Sequence, residues 1–363
     1  MVGVIVDAPD TPYLAVALDV LDRNLARTAG AARERGLALR PHAKTHKCVE
    51  IARRQIDHGA VGLTVATVGE AEVFAAAGIT DLFLAYPIWA DGGRAARLRE
   101  LAGRVALRVG VDSAEAAELL AAALRGTGAE VVVEVDSGQH RSGVRPERAG
   151  EVAAAAARAG LPVAGVFTFP GHGYGPGRAH PAAADEARAL TAAVESLDRV
   201  GLPAPLRSGG STPTAALADP GVLTEVRPGV SVFNDAQQAE LGTCDWADVA
   251  LTAVATVVSA SGPQVVLDAG SKTLGADQPG WVTGGGRLPD HPDARVVALS
   301  EHHATVRFDP GSDDGAVPLR LGDRVRLAPN HVCAAVNLAD ELIVLDGAAV
   351  VDRWAVAARG ANT

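Results

Sequence analysis

Two histidines and two lysines stand together in the stretch PHAKTHKC, residues 41–48. The stretch follows a short apolar run, and the next helical pattern has not yet begun. Nitrogen groups at the carboxyl end of a strand are suited to binding an anion or an aldehyde, and a lysine amine there can form an imine. We therefore predict that Lys44 reacts with an aldehyde and that His42 helps to order this corner. Taken alone, a lysine beside histidines is most often a solvated basic patch.

Glycine-containing loops supply a second candidate feature, SGGST at 208–212 and PGVS at 228–231. Glycine lets backbone N–H groups approach a phosphate closely, and a following helix N-terminus adds a favourable dipole. A lysine opposite a phosphate cradle is the arrangement that pyridoxal phosphate needs. An ordinary glycine turn is the alternative for either loop. The predicted cradle residues are Ser208, Gly209, Gly210, Ser211, Gly229, Val230 and Ser231.

Two further loops could contribute polar groups to the same cofactor. The stretch EVDSGQHRSGV (134–144) contains Arg141, whose planar guanidinium suits stacking and forked hydrogen bonds. The stretch PGHGYG (170–175) contains His172 and Tyr174, and the chain has only three tyrosines. We predict that Arg141 and Tyr174 contact the cofactor and that Tyr174 takes part in catalysis. A polar turn and a packing tyrosine are the alternatives.

A histidine and a cysteine two residues apart occur in PNHVC, residues 329–333. In an extended segment, side chains at i and i+2 share a face, so we expect His331 and Cys333 to converge on one metal ion. Imidazole with thiolate suits zinc, and a catalytic metal leaves its other positions to water and substrate. A buried histidine and a buried cysteine are the alternative. The stretch SEHH at 300–303 is a candidate source of a third ligand, with a polar turn as its alternative.

Apolar runs alternate with amphipathic helical stretches over the first two thirds of the chain, which indicates repeated strand–helix units. Eight such units over roughly 210 residues favour a (β/α)8 barrel of the TIM type over an open doubly wound sheet, given a typical barrel of about 250 residues. In such barrels, chemistry gathers at the carboxyl ends of the strands. The predicted barrel strands are 37–41, 62–67, 81–87, 104–110, 130–138, 162–170, 203–208 and 224–233.

After about residue 245 the pattern changes to short β-rich runs separated by Gly, Pro and Asp turns. We predict an α/β barrel at 19–245 that is followed by an all-β domain at 246–363, which carries the metal pair. The segment 11–18 could pair with either domain, and residues 1–18 are a candidate extra strand of the second. The predicted strands of the second domain are 249–258, 264–268, 295–299, 304–308, 323–328 and 341–346.

The composition points to small metabolites as partners. The 363 residues are 48% apolar and carry a net charge of −10 with both signs interspersed, which argues against a nucleic-acid or anionic-membrane surface. Three cysteines, Cys48, Cys244 and Cys333, have no tight spacing and favour a reducing, cytoplasmic interior over a disulfide framework. The first residues show no secretory signal, and no apolar run is long enough to span a bilayer.

Six stretches occur in an order that resembles the D-serine dehydratase and D-threonine aldolase family. Members of this family are fold-type III pyridoxal phosphate enzymes, related through the barrel to alanine racemase. The likeness covers essentially the whole chain. It implies bound pyridoxal phosphate, a divalent metal beside it, a D-amino-acid substrate and a homodimer. The six stretches are RPHAKTHK, VEVDSGQHRSGV, SGGSTPT, EVRPGVSVFND, LDAGSKT and PNHVCAAVNLADELIVLDG.

By position, the resemblance makes Lys44 the Schiff-base lysine and the base that removes the α-proton. It makes His331 and Cys333 the metal pair, and it places Arg141, Tyr174 and the two glycine loops at cofactor-contacting positions. The chain departs from the family pattern near 302–304.

Relatives often carry Glu-His-Gly there, whereas this chain carries His302, His303 and Ala304. We align His303 with the family's histidine, and the roles of its neighbours stay open.

Members of the family either eliminate water, giving a 2-oxo acid and ammonia, or cleave the substrate to glycine and an aldehyde. A metal on the β-hydroxyl serves both reactions. The dehydratases carry His-x-Cys and D-threonine aldolases carry His-x-Asp. Cys333 therefore favours a dehydratase of D-3-hydroxyamino acids, with D-serine as the type substrate, and zinc over manganese. D-threonine aldolase is the first alternative, and D-threonine and D-3-hydroxyaspartate are alternative substrates.

Two other classes are disfavoured. Amino-acid racemases of this fold use a tyrosine of the C-terminal domain as a second base, but no tyrosine follows Tyr174 in the sequence. Non-catalytic pyridoxal phosphate-binding proteins usually lack the second domain and would not need His-x-Cys.

Overall fold

The computed structural model describes residues 9–308 and 318–363. The first eight residues, where the sequence shows no secretory signal, lie outside the described residues. The strands are β1 (Tyr13–Ala17), β2 (Ala38–Leu39), β3 (Leu63–Val65), β4 (Asp81–Pro87), β5 (Ala106–Val111), β6 (Glu130–Glu134), β7 (Val163–Phe167), β8 (Leu206–Gly209), β9 (Glu225–Val226), β10 (Leu251–Ser261), β11 (Gln264–Leu267), β12 (Ala294–Leu299), β13 (Ala304–Phe308), β14 (Arg324–Leu327), β15 (Glu341–Asp346) and β16 (Ala349–Ala355).

Side-chain caps mark the start of some of the helices. Ser113 accepts a hydrogen bond from the N–H of Ala116, and Thr67 caps the helix after it in the same way. The α-helices are α1 (Leu18–Glu34), α2 (Val49–Asp57), α3 (Val68–Ala76), α4 (Gly92–Ala102), α5 (Ala114–Leu124), α6 (Ala149–Arg158), α7 (Ala179–Asp198), α8 (Ala236–Glu240), α9 (Ser271–Leu274) and α10 (Val332–Leu338). In the part of the chain that the structure describes, no helix has the length and apolar character that crossing a bilayer requires.

The described residues fall into two compact units. The barrel unit comprises Arg27–Lys44, Val49–Gly229 and Gly360–Thr363. The β unit comprises residues up to Ala26, Thr45–Cys48 and Val230–Arg359. The functional division at 19–245 and 246–363 stays a prediction.

Eight parallel strands form the barrel unit's sheet, in the order β2-β9-β8-β7-β6-β5-β4-β3. A parallel bridge between His42 and Thr64 links the two ends of this series. The predicted (β/α)8 barrel is therefore confirmed, with each predicted strand present and most of them shorter than expected. The strands are so short at β2 and β9 because the chain leaves the ladder there to form the loops at the carboxyl ends.

Aromatic and aliphatic side chains fill part of the barrel core. Phe83 and Phe167 meet edge to face with ring centroids 5.0 Å apart, and Val132 and Ala164 pack beside them. Edge-to-face packing brings the positive edge of one ring onto the negative face of the other. The guanidinium of Arg227 lies over both rings, 5.6 and 5.3 Å from their centroids.

The β unit contains a second sheet, in the order β12-β13-β11-β10-β1-β15-β16, with β14 also paired to β10. Strand β1 pairs antiparallel with β10 and parallel with β15. The C-terminal all-β expectation is confirmed in its strands, and β16 is an addition that the prediction lacked. Asp346 and Gly347 precede β16, and an Asp-Gly pair between apolar runs is a hairpin signal that could have predicted it.

Candidate active site

Lys44 lies just beyond the carboxyl end of β2. The chain is fixed there because the N–H of His42 donates to the carbonyl of Pro228 at 3.0 Å. A single 3-10 turn, Ala43–Thr45, then carries the lysine, and its backbone N–H donates to Nδ1 of His42 at 3.4 Å. His42 is buried and Lys44 is half-buried. The histidine therefore orders the turn that presents the lysine.

Phe169, which follows β7, is the centre of a group that we call the Phe169 corner: Lys44, Arg141, Phe169 and Tyr174. The Lys44 Nζ lies 5.5 Å from the ring centroid of Phe169, and the Arg141 guanidinium lies 5.3 Å from it. The ring of Tyr174 lies 6.2 Å from that of Phe169, tilted by 36°. The structure thus brings three of the predicted site residues to one aromatic ring.

The loops that carry Arg141 and Tyr174 interlock. A side chain at Gly138 would come within 3.1 Å of the His172 ring, and one at Gly171 would collide with Gln139. His172 is held in turn by Asp185 of α7, with Nε2 3.1 Å from Oδ2. Two glycines therefore allow the close contact that fixes the Phe169 corner.

The SGGS loop after β8 is shaped by a buried carboxyl group that the sequence did not reveal. Glu186 of α7 accepts the N–H of Gly210 at 2.7 Å, and a side chain at Gly209 would collide with the same carboxyl. The N–H of Ser211 donates to Thr214 Oγ1 at 2.9 Å. Two of the predicted cradle N–H groups therefore already have protein acceptors. A phosphate at Gly210 would have to share its N–H with Glu186.

Ser208 belongs to a buried polar chain of side chains. Its hydroxyl donates to Glu225 at 2.6 Å and accepts from Arg227 Nε at 2.8 Å. Arg227 is 4% exposed, and burial lowers the pKa of its guanidinium despite nearby Glu225 and Glu186. A cation buried in the barrel at this level suits an anionic ligand or the surrounding carboxyls.

The second predicted phosphate loop turns at a 3-10 segment, Val230–Val232, directly after Gly229. Val230 is buried and Ser231 is half-buried. Their role as phosphate contacts stays a prediction.

Two carboxyl groups in the barrel unit have a raised pKa. Burial raises the pKa of Glu134 to about 7, although Ser142 donates to it and Arg141 is near. Burial also raises the pKa of Glu186 to about 7, against the hydrogen bond from Gly210 and the charge of Arg227. One oxygen of each carboxyl, Oε2, is buried without a hydrogen-bond partner among the described residues.

His331 and Cys333 are not on an extended segment, and this geometric expectation was wrong. His331 is the residue before α10, with φ −130° and ψ 108°, and Cys333 lies in the first turn of that helix. The pair still shares one turn of chain because the helix start places both side chains beside its N-terminus. The Cys333 thiol donates to Thr45 Oγ1 at 3.3 Å, and Thr45 directly follows Lys44 in the sequence.

Charged neighbours strongly affect His331. Burial alone would lower the pKa of its imidazole, but the sulfur of Cys333 and the carboxylate of Asp235 raise that pKa to about 11. The Nδ1 atom lies 3.5 Å from Oδ2 of Asp235. We call Asp235, His331 and Cys333 the metal turn. Such negative surroundings favour any cation, whether a proton or a metal ion.

The structure does not join the SEHH stretch to this pair. His302 and His303 are exposed in the connection between β12 and β13. Within residues 9–308 and 318–363, no group of three or more His, Cys, Asp or Glu side chains could hold a metal ion. The described residues therefore add no third protein ligand to the predicted pair of His331 and Cys333.

The residues present fit both groups that the sequence implies. The Phe169 corner combines an amine, a guanidinium and aromatic faces at the carboxyl ends of barrel strands, as an aldehyde cofactor with a phenolic oxygen requires. Imidazole with thiolate is a zinc donor set, and two protein donors leave positions for substrate and water.

Sequence reasoning missed Phe169, Glu186, Arg227 and Asp235. Phe169 lies within the predicted strand 162–170, and Glu186 belongs to none of the stretches that the sequence analysis selected. Asp235 and Arg227 belong to the stretch EVRPGVSVFND, so their presence in a matched motif was the available signal.

Two family models match the chain in succession. The alanine racemase N-terminal domain matches residues 16–237, and a serine dehydratase domain matches residues 250–345. The D-threo-3-hydroxyaspartate dehydratase of Delftia sp. strain HT23 is 37% identical over 350 residues, which cover 90% of this chain and 91% of the relative.

Solved structures give the same result. The D-threonine aldolase from Filomicrobium marinum superposes with a TM-score of 0.88 at 33% identity, covering 99% of this chain and 98% of that chain. A structure of D-threo-3-hydroxyaspartate dehydratase has a TM-score of 0.87 at 33% identity, covering 96% of this chain and 97% of that chain. Solved mutants of that dehydratase replace a histidine and, two residues later, a cysteine, and the cysteine mutant is in a metal-free form.

Proposed function

Since the chain belongs to the family of pyridoxal phosphate enzymes that joins an alanine racemase N-terminal domain to a serine dehydratase domain, we propose that it is a metal-dependent dehydratase of D-3-hydroxy-α-amino acids. The observation that carries the choice of dehydratase is the His331–Cys333 pair at the start of α10. The mutants of the related dehydratase replace a histidine and a cysteine with the same spacing.

In this proposal the barrel unit holds the cofactor. Lys44 Nζ would hold the aldehyde carbon of the cofactor and, once the substrate amine has displaced it, would accept the α-proton of the substrate. Arg141 would meet oxygen atoms of the cofactor with its forked donors, while Phe169 keeps the lysine and the guanidinium against one apolar face. Tyr174 would border the same face. The phosphate would lie at the SGGS loop and the loop at 229–231.

His331 and Cys333 would hold the divalent metal in the β unit. When bound, pyridoxal phosphate withdraws electrons from the α-carbon and the metal polarises the β-oxygen. Elimination releases one water molecule, and hydrolysis of the product's C=N bond consumes one. The net products are therefore a 2-oxo acid and ammonia.

We propose zinc as the metal because imidazole and thiolate are its preferred donors, with manganese as the alternative. We also propose a homodimer, on the resemblance to the family, and a cytoplasmic location. The three cysteines form no disulfide among the described residues. Light scattering during gel filtration tests the dimer.

D-serine is proposed as the type substrate. D-threo-3-hydroxyaspartate is the second candidate because the Delftia relative is named for it. D-threonine aldolase activity is the second candidate function, since the Filomicrobium enzyme covers nearly the same chain length.

Product analysis tests the function. Protein loaded with cofactor and zinc is incubated with D-serine, D-threonine and D-threo-3-hydroxyaspartate, with EDTA-treated protein as the control. We expect ammonia and a 2-oxo acid, lost with EDTA and restored by metal. Glycine and an aldehyde would instead establish the aldolase. A changed configuration at the α-carbon without either product pair would indicate a racemase, and no turnover at all would indicate a cofactor carrier.

The metal pair provides a separate prediction. Cys333→Ser removes the soft ligand, so we expect zinc affinity to fall about 100-fold or more and turnover to fall with it. Cys244→Ser is the matched control because Cys244 lies in the same unit, outside the metal turn. Cys333→Asp should shift the preference towards Mn2+, since a carboxylate suits harder ions. Unchanged zinc affinity in Cys333→Ser, measured by chelator competition, would refute the metal pair.

A further inference from the structure

Asp235 is a buried carboxylate at the junction of two short helices. Its side chain is fully buried, and Oδ1 accepts the N–H of Gln238 at 3.0 Å, which caps α8. Its other oxygen, Oδ2, accepts the N–H of Val332 at 3.1 Å, in the first turn of α10. One carboxylate therefore holds the starts of both helices.

The same Oδ2 atom also faces the predicted metal ligand. It lies 3.5 Å from Nδ1 of His331, the residue before α10. Because Oδ2 is already fixed by the backbone of Val332, the imidazole has its Nδ1 edge directed at a stationary negative oxygen. Nε2 is the ring nitrogen on the opposite edge.

Backbone pairing keeps Asp235 in this place. The N–H of Ala236 donates to the carbonyl of Pro329 at 3.1 Å, and that of Gln237 donates to Asn330 at 3.3 Å. The Asn330 amide donates in turn to the carbonyls of Asp277 and Gly284, at 3.0 and 2.9 Å. These hydrogen bonds fix the segment before His331 on both sides. They therefore also fix the position of the Asp235 carboxylate relative to the His331 imidazole.

A histidine that binds a metal is neutral, so one ring nitrogen keeps its proton while the other binds the ion. A carboxylate that accepts the remaining N–H fixes the tautomer and the ring orientation, and it makes the imidazole a stronger donor.

We propose that Asp235 is a positioning residue for the metal: it accepts Nδ1–H of His331 and thereby makes Nε2 the ligand atom. The inference rests on the proposed function, since it needs His331 to be a ligand.

The test measures metal binding rather than turnover. Zinc affinity of apo-protein is determined by competition with a chromophoric chelator for wild type, Asp235→Asn and Asp245→Asn. The control removes the same charge from an exposed carboxyl of the same unit, outside the metal turn. We expect about 10- to 100-fold weaker binding for Asp235→Asn and less than about twofold change for Asp245→Asn. The Co2+-loaded variant should also show a shifted d–d band while keeping the sulfur-to-cobalt band from Cys333.

A variant that loses only folding stability, with zinc affinity and the cobalt spectrum of the wild type, would overturn the proposal and leave Asp235 as a helix cap. Wild-type protein that binds no zinc would instead contradict the proposed function itself.

Wild type gives an independent test in case Asp235→Asn does not fold. Nitrogen-15 correlation spectra of the histidine rings in zinc-loaded protein should show a His331 ring with the metal at Nε2 and the proton at Nδ1. Metal at Nδ1 would overturn the proposal.

Discussion

The Phe169 corner and the metal turn assemble their functional groups by different interactions. In the corner, Lys44 and Arg141 lie over the face of one ring, 5.5 and 5.3 Å from its centroid. In the metal turn, a buried carboxylate accepts a backbone N–H at 3.1 Å and faces an imidazole. The first contact is broad and weakly directional, and the second is directional and charged.

The difference has a chemical consequence for each region. A cation over a ring gives up no N–H donor, so the ring can gather cationic groups while their donors stay directed at a ligand. A metal ligand needs one nitrogen aimed at one point, and a carboxylate contact provides that aim. We expect substitutions in the Phe169 corner, except at the Lys44 amine, to change cofactor affinity moderately. We expect substitutions in the metal turn to change metal affinity strongly.

The largest effect is expected at Lys44, the reacting amine of the Phe169 corner. In the proposed function, the amine of Lys44 would bind the cofactor and accept the α-proton. We therefore expect Lys44→Ala to lower turnover by about 10³-fold or more and to abolish the visible band of the lysine-bound cofactor. Absorbance of the reconstituted protein and steady-state product formation measure both.

Lys272→Ala is the matched control, since this lysine is exposed and pairs with Glu301 at 2.9 Å. It should leave both readouts at the wild-type level. An intact visible band in Lys44→Ala would assign the cofactor to another lysine.

A smaller effect is expected from the ring itself. Phe169→Leu keeps an apolar side chain but removes the face that holds both cations, which is worth about 1–2 kcal/mol in total. Cofactor affinity should therefore fall about tenfold, with folding stability nearly unchanged. Fluorescence titration of apo-protein measures the affinity, and Phe308→Leu in β13 is the control. An effect as large as that of Lys44→Ala would mean that the Phe169 corner is as sensitive to single substitutions as we expect the metal turn to be.

The barrel and the candidate residues with reactive side chains could be predicted from the sequence. The eight strand runs were visible because parallel strands buried on both faces are continuous apolar runs. Lys44, Arg141 and Tyr174 were visible because side chains suited to binding a cofactor follow predicted strands, where barrel chemistry gathers. Their common neighbour Phe169 was not, since a phenylalanine after a strand has the same pattern whether it packs in the core or holds two cations.

The metal turn shows the other limit. His331 and Cys333 were identified by type, but their backbone was expected to be extended, whereas His331 is the N-cap residue of α10 and makes no side-chain capping hydrogen bond. The cap role belongs to the contact with Asp235, which lies almost a hundred residues earlier in the chain. Glu186 was hidden for a related reason: helical periodicity gives the buried face of α7 but not which loop a buried carboxyl meets.

The last effect concerns the pH dependence of stability in the barrel unit. Glu134 and Glu186 are barrel carboxyls with pKa raised by burial from 4.5 to about 7, so the folded state keeps protons that the unfolded state releases. Their stabilising contribution is complete below pH 4.5, and it is lost as the pH rises through about 7. Each group changes the free energy of unfolding by ~3 kcal/mol at most.

Thermal unfolding of apo-protein at about pH 5 and about pH 8 should therefore show lower stability at the higher pH. Glu134→Gln and Glu186→Gln should each make this difference smaller, because glutamine cannot ionise. Glu118→Gln, an exposed substitution on α5, should keep the wild-type pH dependence. If both barrel variants kept it as well, the pH dependence would have to come from other groups, and the burial of these two carboxyls would cost less than the structure implies.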